Sequence, residues 1–188
     1  SIPSSWEFCD YTFVITGVTR AFTHQFVRNR HASFAQQTMR VLDVEGWTYG
    51  TGPSIAAVKG LQADYDVCMN RIDNTYRHLI KQGAKVEDAR GVLPTNIHTN
   101  IVMKCNLRSF VETARKRASS RVQGEYREVL AAMRAEVLRV HPWAHLFLER
   151  TVDKAADELD KAIQELPESV SAERKTAMVK LLDQMRAG

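Results

Sequence analysis

Two long segments of this 188-residue chain repeat their apolar side chains every three or four positions, the spacing of an amphipathic helix. The first runs from Ala56 to Gln82 and is followed by Gly83, a residue that commonly ends helices. The second runs from Asn106 to Val140 and has clear apolar stripes at its two ends. The first stripe consists of Val58, Leu61, Tyr65, Cys68, Ile72, Tyr76 and Leu79. Each helix therefore needs another surface on which to bury one face.

A short segment with alternating apolar residues precedes each long helix. In Tyr11 to Thr16 the apolar residues share one face of a strand, which Gly17 is expected to end. Cys9 has the same parity and is expected in the core. The other alternating segment runs from Ile97 to Lys104. These elements predict an α+β fold with a small, mostly antiparallel sheet and two long helices.

The residues after the first strand predict a short helix and then irregular chain. Thr19 is placed to cap a helix that has Phe22 and Phe26 on one side. Helical periodicity is lost from Asn29 to Arg40, and the glycines and proline of Gly46 to Pro53 predict a loop.

The composition is that of a globular domain, with 44% hydrophobic and 26% charged residues. No apolar run approaches the roughly 20 residues of a membrane helix, and Ser1 to Asp10 has no signal-peptide pattern. Three cysteines without a CxxC pair favour a reduced, cytoplasmic compartment, which would be the host cytoplasm for a viral protein. The net charge of +4 suits anionic partners. Because the chain enters a strand soon after Ser1, we expect further residues upstream.

Arg20 to Arg40 is the segment richest in groups that could bind an anion. It combines arginines, glutamines and hydroxyl residues with apolar anchors, in the sequence RAFTHQFVRNRHASFAQQTMR. Guanidinium groups bind phosphate through two parallel hydrogen bonds. The alternative interpretation is a solvated basic loop.

The order of residues in this segment resembles the flavin-dependent thymidylate synthase family. That family carries Arg-His-Arg, seven residues of any kind and then Ser, whereas this chain has Arg28-Asn29-Arg30, seven residues and then Thr38. Nearby matches are Gly17, Arg20, Ala21, Phe22, Gln25, Ser33 and Arg40. A second block is similar at Ala89-Arg90, Leu93-Pro94, Asn106-Leu107-Arg108, Arg117, Gln123, Glu125 and Pro142-Trp143. The resemblance covers about Ser4 to Trp143.

The resemblance implies the fold of that family over residues 1–150, and the apolar stripes of residues 151–188 predict a C-terminal helical extension outside the resemblance. The resemblance implies that dUMP contacts Gln25, Phe26, Val27, Arg28, Gln36, Gln37, Thr38, Met39, Arg40, Arg90 and Arg117. Thr38 and Arg40 would hold the phosphate, and Arg90 would reach the nucleotide from a neighbouring subunit. Arg117 would be the catalytic residue, because a permanently charged guanidinium can stabilise negative charge at N3 of the pyrimidine.

The resemblance also implies FAD as cofactor, with NADPH and methylenetetrahydrofolate as co-substrates. The implied flavin contacts are Ser4, Arg28, Asn29, Arg30, Asn106, Leu107, Arg108 and Glu112. The product would be dTMP, and the assembly a homotetramer with sites shared between subunits and no membrane or nucleic-acid partner. The cysteines agree with this route, because Cys9 and Cys68 are expected in the core and Cys105 ends a strand. Without a nucleophilic thiol, hydride chemistry must come from a cofactor.

Several residues depart from the family pattern. Asn29 replaces a histidine and Thr38 a serine, and the further differences are Ala35 for asparagine, Gln36 for an acidic residue, Val41 for tyrosine and Glu112 for histidine or asparagine. These changes bear on flavin handling and on the product. One alternative is therefore a dUMP or dCMP hydroxymethylase that traps the methylene group with water. Another is an inactive module that binds nucleotides or nucleic acid.

Three other features have more than one interpretation. The basic run Arg115 to Arg121 either lines an anionic ligand site or forms a solvated face, and it lacks the interleaved aromatic residues of a single-strand nucleic-acid site. His141, His145 and Glu149 have the spacing of one helical face, but Pro142 interrupts them and no metal site is predicted. The tail segments 151–166 and 171–185 have apolar stripes that must pack on the body of the chain, on each other or on a neighbouring subunit.

Overall fold

The computed structural model describes residues 3–39, 47–117, 124–148, 158–159, 161–163, 165–166 and 170–187. Its three strands are β1 (Asp10–Thr19), β2 (Ser33–Gln36) and β3 (His98–Asn106), and β3 lies in the centre of the sheet. β2 runs antiparallel to β3, with Ser33 opposite Lys104. The amide of Arg20 donates to the carbonyl of Ile97, and the amide of Leu107 donates to that of Cys9. The start of β1 therefore lies beside the end of β3, so this pair is also antiparallel.

The chain also has helices, so the fold is of the expected α+β class. They are α1 (Arg20–Phe26), α2 (Pro53–Ala56), α3 (Lys59–Lys81), α4 (Val86–Ala89), α5 (Leu107–Lys116), α6 (Gly124–Val140), α7 (His145–Leu148) and α8 (Ala172–Ala187). Short 3-10 turns occupy Pro3–Phe8, Arg90–Val92 and Pro142–Ala144. No helix among the described residues is long and apolar enough to cross a membrane.

The first strand extends beyond the glycine that was expected to end it. Gly17 adopts a φ of 67°, a conformation open to glycine at little steric cost, and β1 continues to Thr19. The amide of Gly17 donates to the side-chain oxygen of Asn100 at 3.1 Å. The prediction that Gly17 stops the strand is therefore wrong, because this bond to β3 holds the chain beside the sheet.

The chain divides into two compact units, and the boundaries fall within β1 and β3. One unit comprises residues 12–104, and the other comprises residues 1–11 together with residues 105–188. The expected division at residue 150 stays a prediction, because residues 149–157 lie outside the described part of the chain.

In the unit of residues 12–104, only the part of the predicted α3 stripe formed by Tyr65, Ile72, Tyr76 and Leu79 faces inward. The buried residues of α3 are Met69 and Tyr76, whereas Leu61 is 51% exposed and Cys68 is exposed. The inward side of α3 also carries polar residues. Asp66 is half-buried and accepts a hydrogen bond from the hydroxyl of Tyr49. The prediction that Cys68 is a core residue is therefore wrong.

In the other unit, the expected single helix from Asn106 to Val140 is two helices. Helix α5 ends at Lys116, and Arg117 has a φ of −110° and a ψ of 11°, outside the helical region. Helix α6 begins at Gly124. The conformation of Arg117 therefore ends α5, and residues 118–123 lie outside the described part of the chain.

The described part of the tail packs on its own chain. Helix α8 contacts α5, and its Leu182 is buried. Ile163, from the first tail segment, is buried as well. Most of that first segment lies outside the described residues, so its predicted helix stays a prediction. Cys9 is half-buried rather than a core residue.

Candidate active site

Two aromatic rings fix the orientation of α1, which carries the first expected site residues. Phe22 and Phe26 are completely buried, and their ring centroids lie 4.8 Å apart. The side-chain oxygen of Thr19 accepts a hydrogen bond from the amide of Phe22 at 3.1 Å, as expected for an N-cap. The opposite side of the helix presents Arg20, which is half-buried, and His24, which is exposed.

Backbone hydrogen bonds hold the start of α1 against the residues before β3. The amide of Arg20 donates to the carbonyl of Ile97 at 3.0 Å, and the amide of Ala21 donates to that of Thr95 at 2.8 Å. Gly50 packs against the same place, because a Cβ atom there would lie only 2.8 Å from Cγ2 of Thr19. These segments form a close-packed wall that leaves Arg20 little freedom at its backbone.

A cleft of about 510 Å³ opens beside this wall. Its lining residues are Arg20, His24, Met39, Glu87, Arg90, Gly91, Leu93, Pro94 and Thr95. The cleft therefore brings together α1, the expected nucleotide-binding segment after β2 and the expected nucleotide ligand Arg90.

The two arginines make the cleft attractive to anions. Burial, and secondly the positive charge of Arg90, lower the pKa of Arg20. Both guanidinium groups still carry their charge at neutral pH, because arginine ionises far above it. Nε of Arg90 donates to the backbone carbonyl of Glu87 at 3.1 Å. A bound anion would relieve the repulsion between the two cations, and phosphate matches the planar guanidinium geometry.

Hydrogen bonds anchor the segment that leads from β2 to the cleft. Nε2 of Gln36 donates to Oγ1 of Thr23 at 2.9 Å. The amide of Gln37 donates to the carbonyl of Asn100 at 2.9 Å, and Nδ2 of Asn100 donates to Oε1 of Gln37 at 3.0 Å. The next residue, Thr38, is exposed.

The remaining expected nucleotide residues occupy different environments. Gln25 is half-buried and Val27 is 41% exposed, whereas the side chain of Phe26 is fully buried, so Phe26 can offer a ligand only its backbone. Met39 lines the cleft. Arg40 lies outside the described residues.

The turn after α1 carries three residues that the resemblance assigns to the flavin. Arg28 and Arg30 are exposed. Nδ2 of Asn29 donates to the carbonyl of Phe26 at 3.2 Å, so this side chain folds back on the end of α1. The turn therefore presents two guanidinium groups to solvent.

The other expected flavin residues belong to the unit of residues 1–11 and 105–188, where charges of opposite sign are paired. Ser4 lies in the 3-10 turn that packs on α5. Nη1 of Arg108 lies 2.6 Å from Oε1 of Glu7, and its Nε lies 3.5 Å from Oε1 of Glu112. The hydrogen bond to Glu7, followed by the charges of both carboxylates, raises the pKa of Arg108.

Two further expected flavin residues have structural roles in the same unit. Oδ1 of Asn106 accepts a hydrogen bond from the amide of Ser109 at 2.9 Å and so caps α5. Leu107 is completely buried, and its amide donates to the carbonyl of Cys9 at 2.8 Å. Any contact between Leu107 and a ligand must therefore come from backbone atoms.

Arg117, the expected catalytic residue, follows the last residue of α5. Its guanidinium carbon lies 5.4 Å from the ring centroid of Tyr126, a residue that is completely buried. A guanidinium over an aromatic face is held by a cation–π interaction and keeps its charge. The contact orients Arg117 without neutralising it.

The histidines near α6 make structural contacts. The hydroxyl of Tyr11 and Nδ1 of His141 form a hydrogen bond of 2.8 Å, and Nδ1 of His145 lies 2.7 Å from the carbonyl of Pro142. Glu149 lies outside the described residues. Within the described ranges, no group of three or more His, Cys, Asp or Glu residues could hold a metal.

The cysteines lie in three different environments. Burial raises the pKa of the Cys105 thiol to about 12, which suppresses its thiolate at neutral pH. Cys9 is half-buried, and its Sγ lies 3.5 Å from the hydroxyl of Tyr11. Cys68 is exposed on α3 and is not among the residues that line the cleft.

Arg20 and His24 were missed as site residues, although the sequence contained a signal for them. Phe22 and Phe26 predict the buried face of α1 and therefore place Arg20 and His24 on the other face. Their approach to Arg90, about 70 residues away in the sequence, comes from tertiary packing.

Comparison with known proteins matches this part of the chain. Residues 2–143 match the family model described as thymidylate synthase complementing protein. The flavin-dependent thymidylate synthase of Nitratidesulfovibrio vulgaris is 37% identical over 135 residues, which cover 68% of this chain and 55% of that protein. The enzyme of the same name from Sulfolobus acidocaldarius is 38% identical over 134 residues, covering 70% and 51% respectively. The one from Pyrococcus furiosus is 35% identical over 150 residues, covering 74% and 62%.

This chain thus spans between about half and three fifths of the length of the curated relatives it matches. The family match includes α1, the cleft, α5 and Arg117. The chain therefore belongs to the thymidylate synthase complementing protein family.

Proposed function

We propose that the chain is a flavin-dependent thymidylate synthase, which transfers the one-carbon unit of methylenetetrahydrofolate to C5 of dUMP and forms dTMP. Three similar proteins carry that name. The observation that carries the proposal is the cleft lined by Arg20 and Arg90, which lies inside the matched region and has the charge and donor geometry for a nucleotide phosphate.

The 5′-phosphate of dUMP is the anion proposed for the cleft. A phosphate monoester carries between one and two negative charges at neutral pH, so two guanidinium groups balance it. Arg20 and Arg90 bind the phosphate, and the exposed His24 adds a donor nearby. Thr38 and Arg40, on the segment that reaches the cleft at Met39, complete the phosphate contacts, and the site lies at a subunit boundary in the proposed homotetramer.

The rest of the nucleotide contacts the chain on both sides of the cleft. Gln25 and Arg28 offer side-chain donors, and Phe26 and Val27 offer backbone groups. The segment from Gln36 to Arg40 supplies the other side.

FAD is the proposed cofactor, and the donor groups of the chain fit it. The exposed guanidinium groups of Arg28 and Arg30 suit its pyrophosphate, and Asn29 lies between them in sequence. Arg108 offers N–H donors whose direction is fixed by Glu7 and Glu112. The hydroxyl of Ser4 and the backbone of Asn106 and Leu107 complete the proposed set. A bound flavin supplies hydride chemistry that protein side chains lack, with NADPH as the proposed reductant.

Arg117 is the proposed catalytic residue. It stabilises negative charge at N3 of the pyrimidine, which increases electron density at C5 and makes that carbon nucleophilic. A guanidinium is a poor general base, because it stays protonated at any working pH. The ring of Tyr126 keeps the charge directed without adding a competing carboxylate.

Exposed apolar residues on α3 and directly before it offer contacts for a neighbouring copy in the proposed homotetramer. Val58, Leu61 and Val67 are each about half-exposed or more, at 49%, 51% and 54%. Large apolar patches on a protein surface commonly mark contacts between proteins. A neighbouring copy that covers these residues would also explain why Val58 and Leu61, members of the predicted stripe, do not face the chain's own core.

The product formed from dUMP tests the proposal. The purified chain is incubated with FAD, NADPH, methylenetetrahydrofolate and dUMP, and the nucleotide product is identified by mass spectrometry. We expect dTMP. A hydroxymethylated nucleotide would instead support the hydroxymethylase, which the departures at Asn29, Gln36, Thr38 and Glu112 keep in consideration. Binding of dUMP without any product would support the inactive module.

A further inference from the structure

A buried hydroxyl joins two segments of the proposed nucleotide site. Thr23 lies on α1, and none of its surface is exposed. Its Oγ1 accepts a hydrogen bond from Nε2 of Gln36 at 2.9 Å and donates one to the carbonyl of Arg20 at 3.0 Å. Both the acceptor and the donor capacity of this buried hydroxyl are therefore used, as burial requires.

The two partners of Thr23 belong to different segments that reach the cleft. Arg20 lines the cleft directly, and its amide is bonded to Ile97. Gln36 is the last residue of β2, and the chain that continues from it reaches the cleft at Met39. The hydroxyl of Thr23 therefore connects the arginine of α1 with the start of the second nucleotide-binding segment.

We propose that Thr23 is a positioning residue, whose hydroxyl holds Arg20 and the segment Gln36 to Met39 at the spacing needed to bind the nucleotide phosphate. The proposal rests on the proposed function, because it assigns the cleft to that phosphate. Thr23 does not line the cleft, so it acts through its two partners.

The chemistry of residue 36 fits this arrangement. Gln36 can donate to Thr23, which leaves the hydroxyl proton of Thr23 available to Arg20. A carboxylate can only accept, so an acidic residue at position 36 would draw that proton away from the carbonyl of Arg20. Thr23 and Gln36 thus form a matched pair, and the departure from the family pattern at Gln36 has a physical role in this chain.

The experiment compares a substitution that removes the hydroxyl of Thr23 with one that keeps it. Thr23→Val preserves the shape of the side chain and removes both hydrogen bonds, whereas Thr23→Ser retains the hydroxyl. Thr75→Val is the matched control, because Oγ1 of Thr75 donates to the carbonyl of Arg71 at 2.8 Å on an exposed part of α3. Dissociation constants are measured for dUMP and for deoxyuridine, which differ only in the phosphate, on folded protein with flavin present.

We expect Thr23→Val to weaken dUMP binding by about tenfold, the scale of one lost hydrogen bond to a correctly placed group, with deoxyuridine binding nearly unchanged. The KM for dUMP should rise and kcat should change little, since the phosphate contact is made equally in the bound substrate and in the transition state. Thr23→Ser and Thr75→Val should bind dUMP like the unaltered chain. A residue that merely stabilises the fold would not change the ratio of the two affinities.

Wild-type dUMP affinity in Thr23→Val, or equal weakening of both ligands, would overturn the positioning role. Should Thr23→Val fail to fold, Thr23→Ala removes the same hydroxyl, and alanine favours helix. The ratio of its affinities for dUMP and deoxyuridine is then the deciding measurement. If the unaltered chain bound no dUMP, the proposed function itself would be wrong. Failure of the Thr23 role alone would look different, because the unaltered chain and Thr23→Val would then both bind dUMP normally.

Discussion

Arginines in the two units of this chain have opposite electrostatic surroundings. In residues 12–104, burial and the charge of Arg90 lower the pKa of Arg20 in the cleft. In the other unit, the hydrogen bond to Glu7 and the nearby carboxylate of Glu112 raise the pKa of Arg108. The same residue type is therefore repelled by its surroundings in one place and stabilised by them in the other.

The difference separates two uses of a guanidinium group. A cation held beside another cation has charge to offer a ligand, and binding an anion relieves the repulsion. A cation bonded to two carboxylates contributes little net charge and instead has a fixed orientation. On this basis we expect Arg20 and Arg90 to determine anion affinity, and Arg108 to contribute direction rather than charge.

The largest effect is expected at a third arginine, Arg117, which is held by an aromatic ring rather than by a carboxylate. Arg117→Ala should lower dTMP formation by at least about 100-fold, the scale seen when a group that stabilises developing charge is removed. Lys116→Ala, at the neighbouring exposed position, is the control and should retain activity. Rates are measured at saturating dUMP, and thermal unfolding establishes that both variants fold. Normal turnover by Arg117→Ala would refute its catalytic assignment.

The cleft arginines should have the next largest effect. Arg20→Met and Arg90→Met each remove a charge-assisted contact to phosphate and should weaken dUMP binding by about 10- to 100-fold. Arg77→Met is the control, because Arg77 is exposed and paired with Asp73 at 2.8 Å on α3. Calorimetric titration with dUMP measures the affinities. Unchanged affinity in both cleft variants would show that the phosphate binds elsewhere.

A smaller effect is expected from Cys105, the buried cysteine near the end of β3. The pKa of Cys105 is about 12 in the folded chain, against about 8.5 for a thiol in unfolded chain. Between these values the folded state holds the proton more tightly, so this contribution is fully present below about pH 8.5 and is lost as pH rises towards 12. Urea unfolding should therefore show a steeper loss of stability from pH 9 to 11 in the unaltered chain than in Cys105→Ala, by about 1.4 kcal/mol per pH unit at most.

The control for that comparison is Cys68→Ala, which removes an exposed thiol. It should show the same pH dependence as the unaltered chain. Equal pH dependence in Cys105→Ala and Cys68→Ala would mean that the buried thiol does not contribute.

The smallest effect is expected for Arg108, whose ion pairs are exposed. Arg108→Gln should change dUMP affinity by less than about twofold, because exposed, compensated charges contribute little. The urea midpoint should also move less than it does in Cys105→Ala, which leaves a small cavity in the core. A loss of dUMP affinity as large as that of Arg20→Met would remove the distinction between the two kinds of arginine.

Local features of the fold were predictable because their causes lie within a few residues. Thr19 caps α1 as predicted, and Phe22 and Phe26 form its buried face. The apolar alternation from Ile97 to Lys104 correctly predicts β3, which runs from His98 to Asn106. In each case the hydrogen bonds and the apolar spacing involve residues within a few positions of one another. The nearby sequence is therefore enough to predict the element.

The errors concern which surface covers an apolar face. The predicted stripe of α3 has clear helical spacing and its Tyr76 is buried, yet Leu61 and Cys68 in the same stripe are exposed. Periodicity shows that a face needs cover but not whether the same chain provides it. The end of α5 at Lys116 was missed for a related reason. Helix propensity in the sequence continues past this residue, whereas the apolar stripe that a packed helix needs does not.

The family, the α+β class and most of the residues proposed for dUMP and flavin follow from motifs and spacing in the chain. The approach of Arg20 to Arg90 and the hydrogen bond from Gln36 to Thr23 depend on tertiary structure, whereas the bond from Thr23 to the carbonyl of Arg20 is local to α1. The two tertiary contacts join α1 to Gln36 at the end of β2 and to Arg90 directly after α4. The pKa of Arg20 and the affinity of the cleft for an anion depend on distances and burial in the folded chain. No fixed spacing of residues along the sequence determines these distances or this burial.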